Sequence, residues 1–251
     1  MTPNEYLRNI INAKKAAHIN LDDWRLTHIK SVLTEWAGTQ LSSLKQSGSS
    51  AKGTAVHGIA DFDIFISLKS DTTQTLKELY NLLDTFVASK GYTTKRQNVS
   101  LGIVSNELDI DLVPGKIQSG YQNYHSIYSS KKDTWMQTNI DLHINNVVNS
   151  KRQDEIILTK IWRKIHNLEF PSIYLELSLL EAIKNRAYGE IGNNFRAVLS
   201  YLKDDFVDAN IFDPANTNNN VSDMLSKYEK QQIAAKAQSS LNEPYWEQII
   251  W

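Results

Sequence analysis

Apolar residues recur at helical spacing from Asn4 to Trp36, first as Tyr6, Ile10 and Ile11 and then as Trp24, His28, Val32 and Trp36. Positions three and four apart share a helix face, so the pattern predicts two N-terminal helices, the second ended by Gly38. Leu41 to Ser47 reads as a short strand leading into Gly48–Gly58, where three of the ten glycines fall close together and signal close backbone approach. Asp61 to Leu68 (DFDIFISL) is strand-like, and Thr72 to Lys90 has a threonine-rich start, helical apolar spacing and Gly91 at its end. Val99–Ser105 and Glu107–Val113 fit two further strands, with Pro114-Gly115 expected to stop the second.

The pattern changes after Ser150. Gln153–Ile165, Ser172–Asn185 and Asn194–Lys203 carry helical periodicity, and a last helix is expected from about Ser222 to Ser239. Asp213 to Asn220 (DPANTNNN) reads as a polar insert. No internal repeat is visible. The expected division is an α/β region over 1–150, including bracing helices within 4–36, and a mostly helical region over 151–251.

Composition narrows the function. At 251 residues with 41% hydrophobic content the chain can build an ordinary core, and 27 basic against 28 acidic residues leave a formal charge of −1. No chain-wide basic excess marks a nucleic-acid binder, so a polyanionic partner would have to be held locally. The absence of cysteine excludes disulfides, thiol nucleophiles and thiolate metal sites. Neither a signal-like N-terminus nor an apolar run of ~18 residues is present, and a cytoplasmic protein without membrane partners is expected.

The chemistry concentrates in GSSAKGTAVHGIADFDIFISL, residues 48–68. Gly48 lets the backbone approach a phosphate, Ser49 offers a hydroxyl and an amide, and the residues that follow open a helix whose first N–H groups favour an anion. Asp61 and Asp63 lie two apart, so on a strand both carboxylates leave one face. Magnesium takes hard oxygen ligands and is commonly shared between carboxylates and substrate phosphates. A third carboxylate could come from ELDIDLVPG, where Asp109 and Asp111 share a strand face and spacing does not choose between them. Gly-Ser alone is usually a turn, and an isolated DxD is usually a solvated strand face. Their combination beside Phe62, Ile64, Phe65 and Ile66 is more specific, because acids among apolar residues are costly without a counter-charge. His57, His125, His143 and His166 lack metal-ligand spacing.

This segment, followed by IDLVPG, resembles the polymerase-β-like nucleotidyltransferases, in the branch of oligoadenylate synthases, cyclic GMP-AMP synthase, bacterial cyclic-oligonucleotide synthases and archaeal-type CCA-adding enzymes. The resemblance implies that Asp61, Asp63 and Asp111 hold two Mg2+ or Mn2+ ions, favouring Asp111 over Asp109. ILTKIWRKI and PSIYLELSLLEA resemble the family's helical segments, which implies Lys160 facing a triphosphate and Ser172 and Tyr174 at the bound nucleotide. Read without the resemblance, Lys160 is a solvated helix cation, Ser172 a helix N-cap and Tyr174 a core aromatic. DPANTNNNV resembles an oligoadenylate synthase loop, and the likeness covers about Leu41 to Trp251.

The implied fold is bilobal, a mixed sheet backed by helices with a C-terminal helical lobe. The implied reaction transfers a nucleoside monophosphate from a nucleoside triphosphate, ATP foremost, to a hydroxyl and releases pyrophosphate, forming short cyclic or linear oligonucleotides. Addition to tRNA or another RNA is disfavoured by the charge of −1 and by a chain that ends where tRNA-gripping domains would begin. The remaining alternatives are transfer to a protein and a non-catalytic nucleotide-binding module.

Overall fold

A computed structural model of the chain describes residues 1–58 and 61–251. In chain order the elements are α1 (Pro3–Lys14), α2 (Thr27–Ala37), β1 (Leu41–Ser47), α3 (Gly48–Lys52), β2 (Phe62–Leu68), α4 (Leu76–Ser89), β3 (Lys95–Arg96), β4 (Leu101–Ser105), β5 (Leu108–Gln118), β6 (Tyr121–Ser129) and β7 (Thr134–Thr138). There follow α5 (Ile140–Ser150), α6 (Gln153–Ile165), α7 (Ser172–Ile183), α8 (Ile191–Asp204), β8 (Phe212–Asp213), β9 (Asn216–Asn220) and α9 (Lys227–Asn242).

The described residues form two compact units. One comprises His18–Gly53 and Ala60–Ile144. Its seven-stranded sheet runs β1-β2-β5-β4-β3, with β6 pairing β5 and β7 pairing β6. The β2–β5 pair is parallel and the remaining pairs are antiparallel, giving a mixed sheet. The amphipathic helices α2 and α4 bury Ile29, Leu33, Tyr80, Leu83 and Val87 with Ile64, Ile66 and Leu112 of the sheet. Helix α4 starts later than Thr72, because Thr75 and Glu78 form a capping box that fixes the first turn.

The second unit comprises Met1–Ala17, Thr54–Ile59 and Asn145–Trp251. Helix α1 therefore groups with the helical C-terminal residues rather than with the sheet: Leu7 and Ile11 are buried in one apolar cluster with Ile156, Trp162, Phe195 and Ile250. The asparagine-rich stretch expected as an insert forms the β8–β9 hairpin, with Ala215 buried in its turn.

Pro114-Gly115 does not stop β5. The strand pairs with β4 through Leu112 and with β6 from Gly115, so Pro114 falls at the change of neighbour, where β5 has no antiparallel partner opposite its missing N–H. Gly115 is required there by packing, since a Cβ would come 2.4 Å from Cζ of Phe65. Among the described residues no helix is long and apolar enough to cross a membrane.

Candidate active site

The sheet unit brings the expected acids together. Asp63 on β2 is in register with Asp111 on β5, so the two carboxylate-bearing positions sit side by side on neighbouring parallel strands. Asp61 immediately precedes β2 and is exposed, while Asp111 is half-buried. Partial desolvation by the surrounding protein raises the Asp61 carboxyl above the ordinary carboxylate range although the residue keeps an exposed surface, and the charge of Asp109 adds to the shift while Lys95 opposes it. Burial likewise raises Asp111, reinforced by the charge of Asp61 and opposed by hydrogen bonds from Ser100 and Gln97 and by the charge of Lys95. These are acids crowded together at a cost that a cation would relieve.

Asp111 is held from β4 and the loop before it. Gln97 Nε2 donates to Asp111 Oδ1 at 2.8 Å and Ser100 Oγ lies 3.1 Å from Asp111 Oδ2. That loop is fixed in turn by the buried Tyr80 hydroxyl, which lies 2.8 and 3.0 Å from the carbonyls of Gln97 and Ser100. Gly102, paired with Asp111, leaves room for the carboxylate: a Cβ there would lie 3.3 Å from Asp111 Oδ1.

Gly48 opens α3 directly after β1 at φ +62°, and a Cβ on it would sit 1.7 Å from Asp63 Oδ2. No other residue can hold this backbone so close to the acid. Ser49 follows in the first turn of α3, and Gly53 ends the helix in the left-handed conformation. Ile59 and Ala60 of the same motif lie outside the described residues.

The other three expected residues, Lys160, Tyr174 and Ser172, lie in the helical unit. Lys160 is 3% exposed, and its Nζ donates to Thr54 Oγ1 at 3.0 Å and to Glu176 at 2.8 Å. It is not a solvated cation: the ammonium is buried against a carboxylate and a hydroxyl. Tyr174 is fully buried and stacked on Phe206 at 4.9 Å, with Lys230 Nζ 5.8 Å from its ring centroid. Ser172 is the first residue of α7 rather than its N-cap, which is Pro171. It is exposed, and its Oγ accepts from Arg163 Nη1 at 3.2 Å.

Sequence reasoning passed over Gln97, Ser100, Gly102 and Lys95, residues that matter only because β4 and the segment before it lie beside Asp111. Of the histidines, His125 is buried with Nε2 2.8 Å from Ser67 Oγ, and burial lowers its pKa. Among the described residues no three carboxylates or imidazoles are gathered into a ready-made ion cage. The donor set is nonetheless all oxygen and mutually repulsive, which fits hard divalent ions arriving with substrate phosphates.

The site is thus a mixed sheet with paired acids beside a Gly-Ser turn. No protein-family profile matches the chain. In sequence it is homologous to the cyclic AMP-AMP-AMP synthase of Escherichia coli strain MS 115-1, with 26% identity over 195 residues, 69% of this chain and 60% of that protein. The chain thus spans about 60% of the length of that curated relative. In structure it is similar to E. coli MS115-1 CdnC solved with ATP (TM-score 0.77, 20% identity, 98% of this chain and 96% of that one). It is also similar to the CdnE cyclic dinucleotide synthase of Elizabethkingia meningoseptica solved with GTP and Apcpp (TM-score 0.72, 14% identity, 96% and 99%).

Proposed function

We propose that this chain is a metal-dependent nucleotidyltransferase that joins nucleoside triphosphates into short cyclic or linear oligonucleotides and releases pyrophosphate. The observation that carries the reading is the register of Asp63 with Asp111, with Gly48 in contact with Asp63. The homology to a synthase of a cyclic trinucleotide supports this product class, and adenine nucleotides are the first substrates to test.

In this reading Asp61, Asp63 and Asp111 would hold two divalent ions, magnesium or manganese. When bound, these neutralise the charge of the reacting phosphates and of the departing pyrophosphate. Gly48 and Ser49 meet the donor phosphates with backbone amides and a hydroxyl. Asp111, fixed by Gln97 and Ser100, orients the attacking hydroxyl. That oxygen forms a bond to the α-phosphorus as the bond to the bridging oxygen breaks. Pyrophosphate departs with the electron pair, and the hydroxyl proton leaves to water. Lys160 and Tyr174 act from the interior: Lys160 neutralises Glu176 within the helical unit, and Tyr174 fills its core.

The test is to incubate the purified protein with magnesium or manganese and each nucleoside triphosphate, then resolve the products by mass. Oligonucleotide products with stoichiometric pyrophosphate are expected from triphosphates alone. Pyrophosphate released only when RNA or a protein is added would assign a macromolecular acceptor instead.

A further inference from the structure

The nucleotidyltransferase reading leaves the acceptor's position open, and an acceptor site that rests on that reading can be sought in the sheet unit. The acids stand on β2 and β5, in the middle of the strand order. On one flank β1 runs into Gly48 and α3 against Asp63. On the other, beside β4 and the segment leading into β3, lies a cavity of about 770 Å³ whose wall includes Asp61, Asp109 and Asp111 but neither Asp63 nor Gly48. This volume falls in the range of roughly 300–1,000 Å³ usual for small-molecule sites.

The lining is unevenly engaged. Gln97 is committed to Asp111 and Asn106 to the Arg25 carbonyl. Among the described residues, the side chains of Asp61, Lys95 and Asp109 make no hydrogen bond or ion pair, although all three line the cavity. Lys95 is the only lysine or arginine among the described lining residues, so an anionic group entering this acidic chamber has one place to be held.

Phosphoryl transfer fixes the direction of entry. The attacking and leaving oxygens lie on opposite sides of the phosphorus. A donor whose phosphates rest on the Gly48 flank therefore requires its nucleophile to come from the β4 flank. We infer that this cavity is the acceptor site, taking the nucleotide or growing linear oligonucleotide whose hydroxyl is to be joined, with Lys95 anchoring an acceptor phosphate. Lys95 is thus a specificity-determining residue for phosphorylated acceptors, separate from the three acids and from the donor cradle.

The experiment titrates 5′-phosphorylated diadenylate, pApA, into protein saturated with magnesium and a nonhydrolysable ATP analogue. Calorimetry follows its binding to the unaltered protein and to Lys95→Ala, Lys95→Glu and Lys95→Arg, with thermal unfolding of each. Lys95→Ala should weaken pApA at least tenfold, Lys95→Glu should weaken it further, and Lys95→Arg should restore it to within twofold. Affinity for the donor analogue should change less than twofold in all three, which separates an acceptor anchor from a lysine that merely offsets the acids. Unchanged pApA affinity in Lys95→Ala and Lys95→Glu, equal losses for pApA and donor, or no pApA binding to the unaltered protein would each overturn the inference. A protein that binds pApA through Lys95 but never releases pyrophosphate would instead overturn the nucleotidyltransferase reading and leave the acceptor-like site standing.

Discussion

Gly48 and Asp63 are packed so closely that a single added carbon on Gly48 would overlap the Asp63 carboxylate, at 1.7 Å from Oδ2. The turn and the acid are therefore one unit. Gly48→Ala must both strain a backbone at φ +62° and displace Asp63, whereas Gly53→Ala, at φ +70° with open space around it, meets only the strain. Gly53→Ala should cost about 1–2 kcal/mol of stability and keep most transfer activity. Gly48→Ala should cost more and lower activity at least a hundredfold. Urea unfolding and pyrophosphate release measure both, and equal behaviour of the two variants would remove the significance given to the contact.

Asp63→Ala should lower the transfer rate by several powers of ten while leaving a cooperative unfolding transition, because a ligand in the reaction's main electrostatic field is lost. A folded variant with full activity would rule out the metal-site assignment.

Asp111→Asn should abolish transfer, whereas Asp109→Asn should retain it, since only Asp111 is held in place by Gln97 and Ser100. If Asp109→Asn is the inactive variant, the roles of the two acids are exchanged.

The same acids set a pH dependence in metal-free protein. Their folded pKa values lie above the ordinary carboxylate value, so the folded state holds more protons than the unfolded state in the interval between. Stability in chelator should fall as pH rises from the ordinary carboxylate value through the raised ones. Asp111→Asn should flatten the slope and raise the melting temperature at neutral pH. A metal-free stability that climbs over that interval, in a protein otherwise unchanged, would contradict the crowding of these negative charges.

Lys160→Ala should destabilise the helical unit by about 3–5 kcal/mol, the usual loss when one partner of a buried ion pair is removed. Replacing both partners, Lys160→Met with Glu176→Leu, should recover most of that stability. The double variant also discriminates between roles. Nucleotide affinity close to the unaltered value would assign Lys160 to the interior, and a large loss in this stable background would return it to the triphosphate.

The candidate site could be read from the sequence where its residues are local. Asp61 and Asp63 lie two apart at the start of one strand, and Gly48-Ser49 lies within the same short segment. The mixed sheet and the helical C-terminal region were expected from the resemblance carried by that motif and its later partner strand. What escaped depends on distant residues. The burial of Lys160 follows from Glu176 on another helix and Thr54 on a separate segment, neither marked by spacing. Pro114-Gly115 carries an ordinary stop signal, and only the exchange of β4 for β6 explains why the strand continues. Strands β6 and β7 were passed over because polar residues such as Ser126, Ser129 and Gln137 interrupt the apolar alternation. Gln97 and Ser100 have no local signature, since their role exists only once β4 lies beside β5.

The parallel pairing of β2 with β5 has a kinetic consequence. Parallel neighbours cannot be joined by a tight turn, and here α4, β3 and β4 all intervene in the chain between them. Closing so long a loop costs entropy before any contact across it is gained, so such pairings form slowly. The β4–β5 hairpin, with its two-residue connection, can form early and carries Gly102 and Asp111 already matched. Asp63 must wait for docking across the crossover. During refolding, protection of the β4–β5 amides should therefore precede protection of β2, and competence to bind nucleotide should appear with the later event.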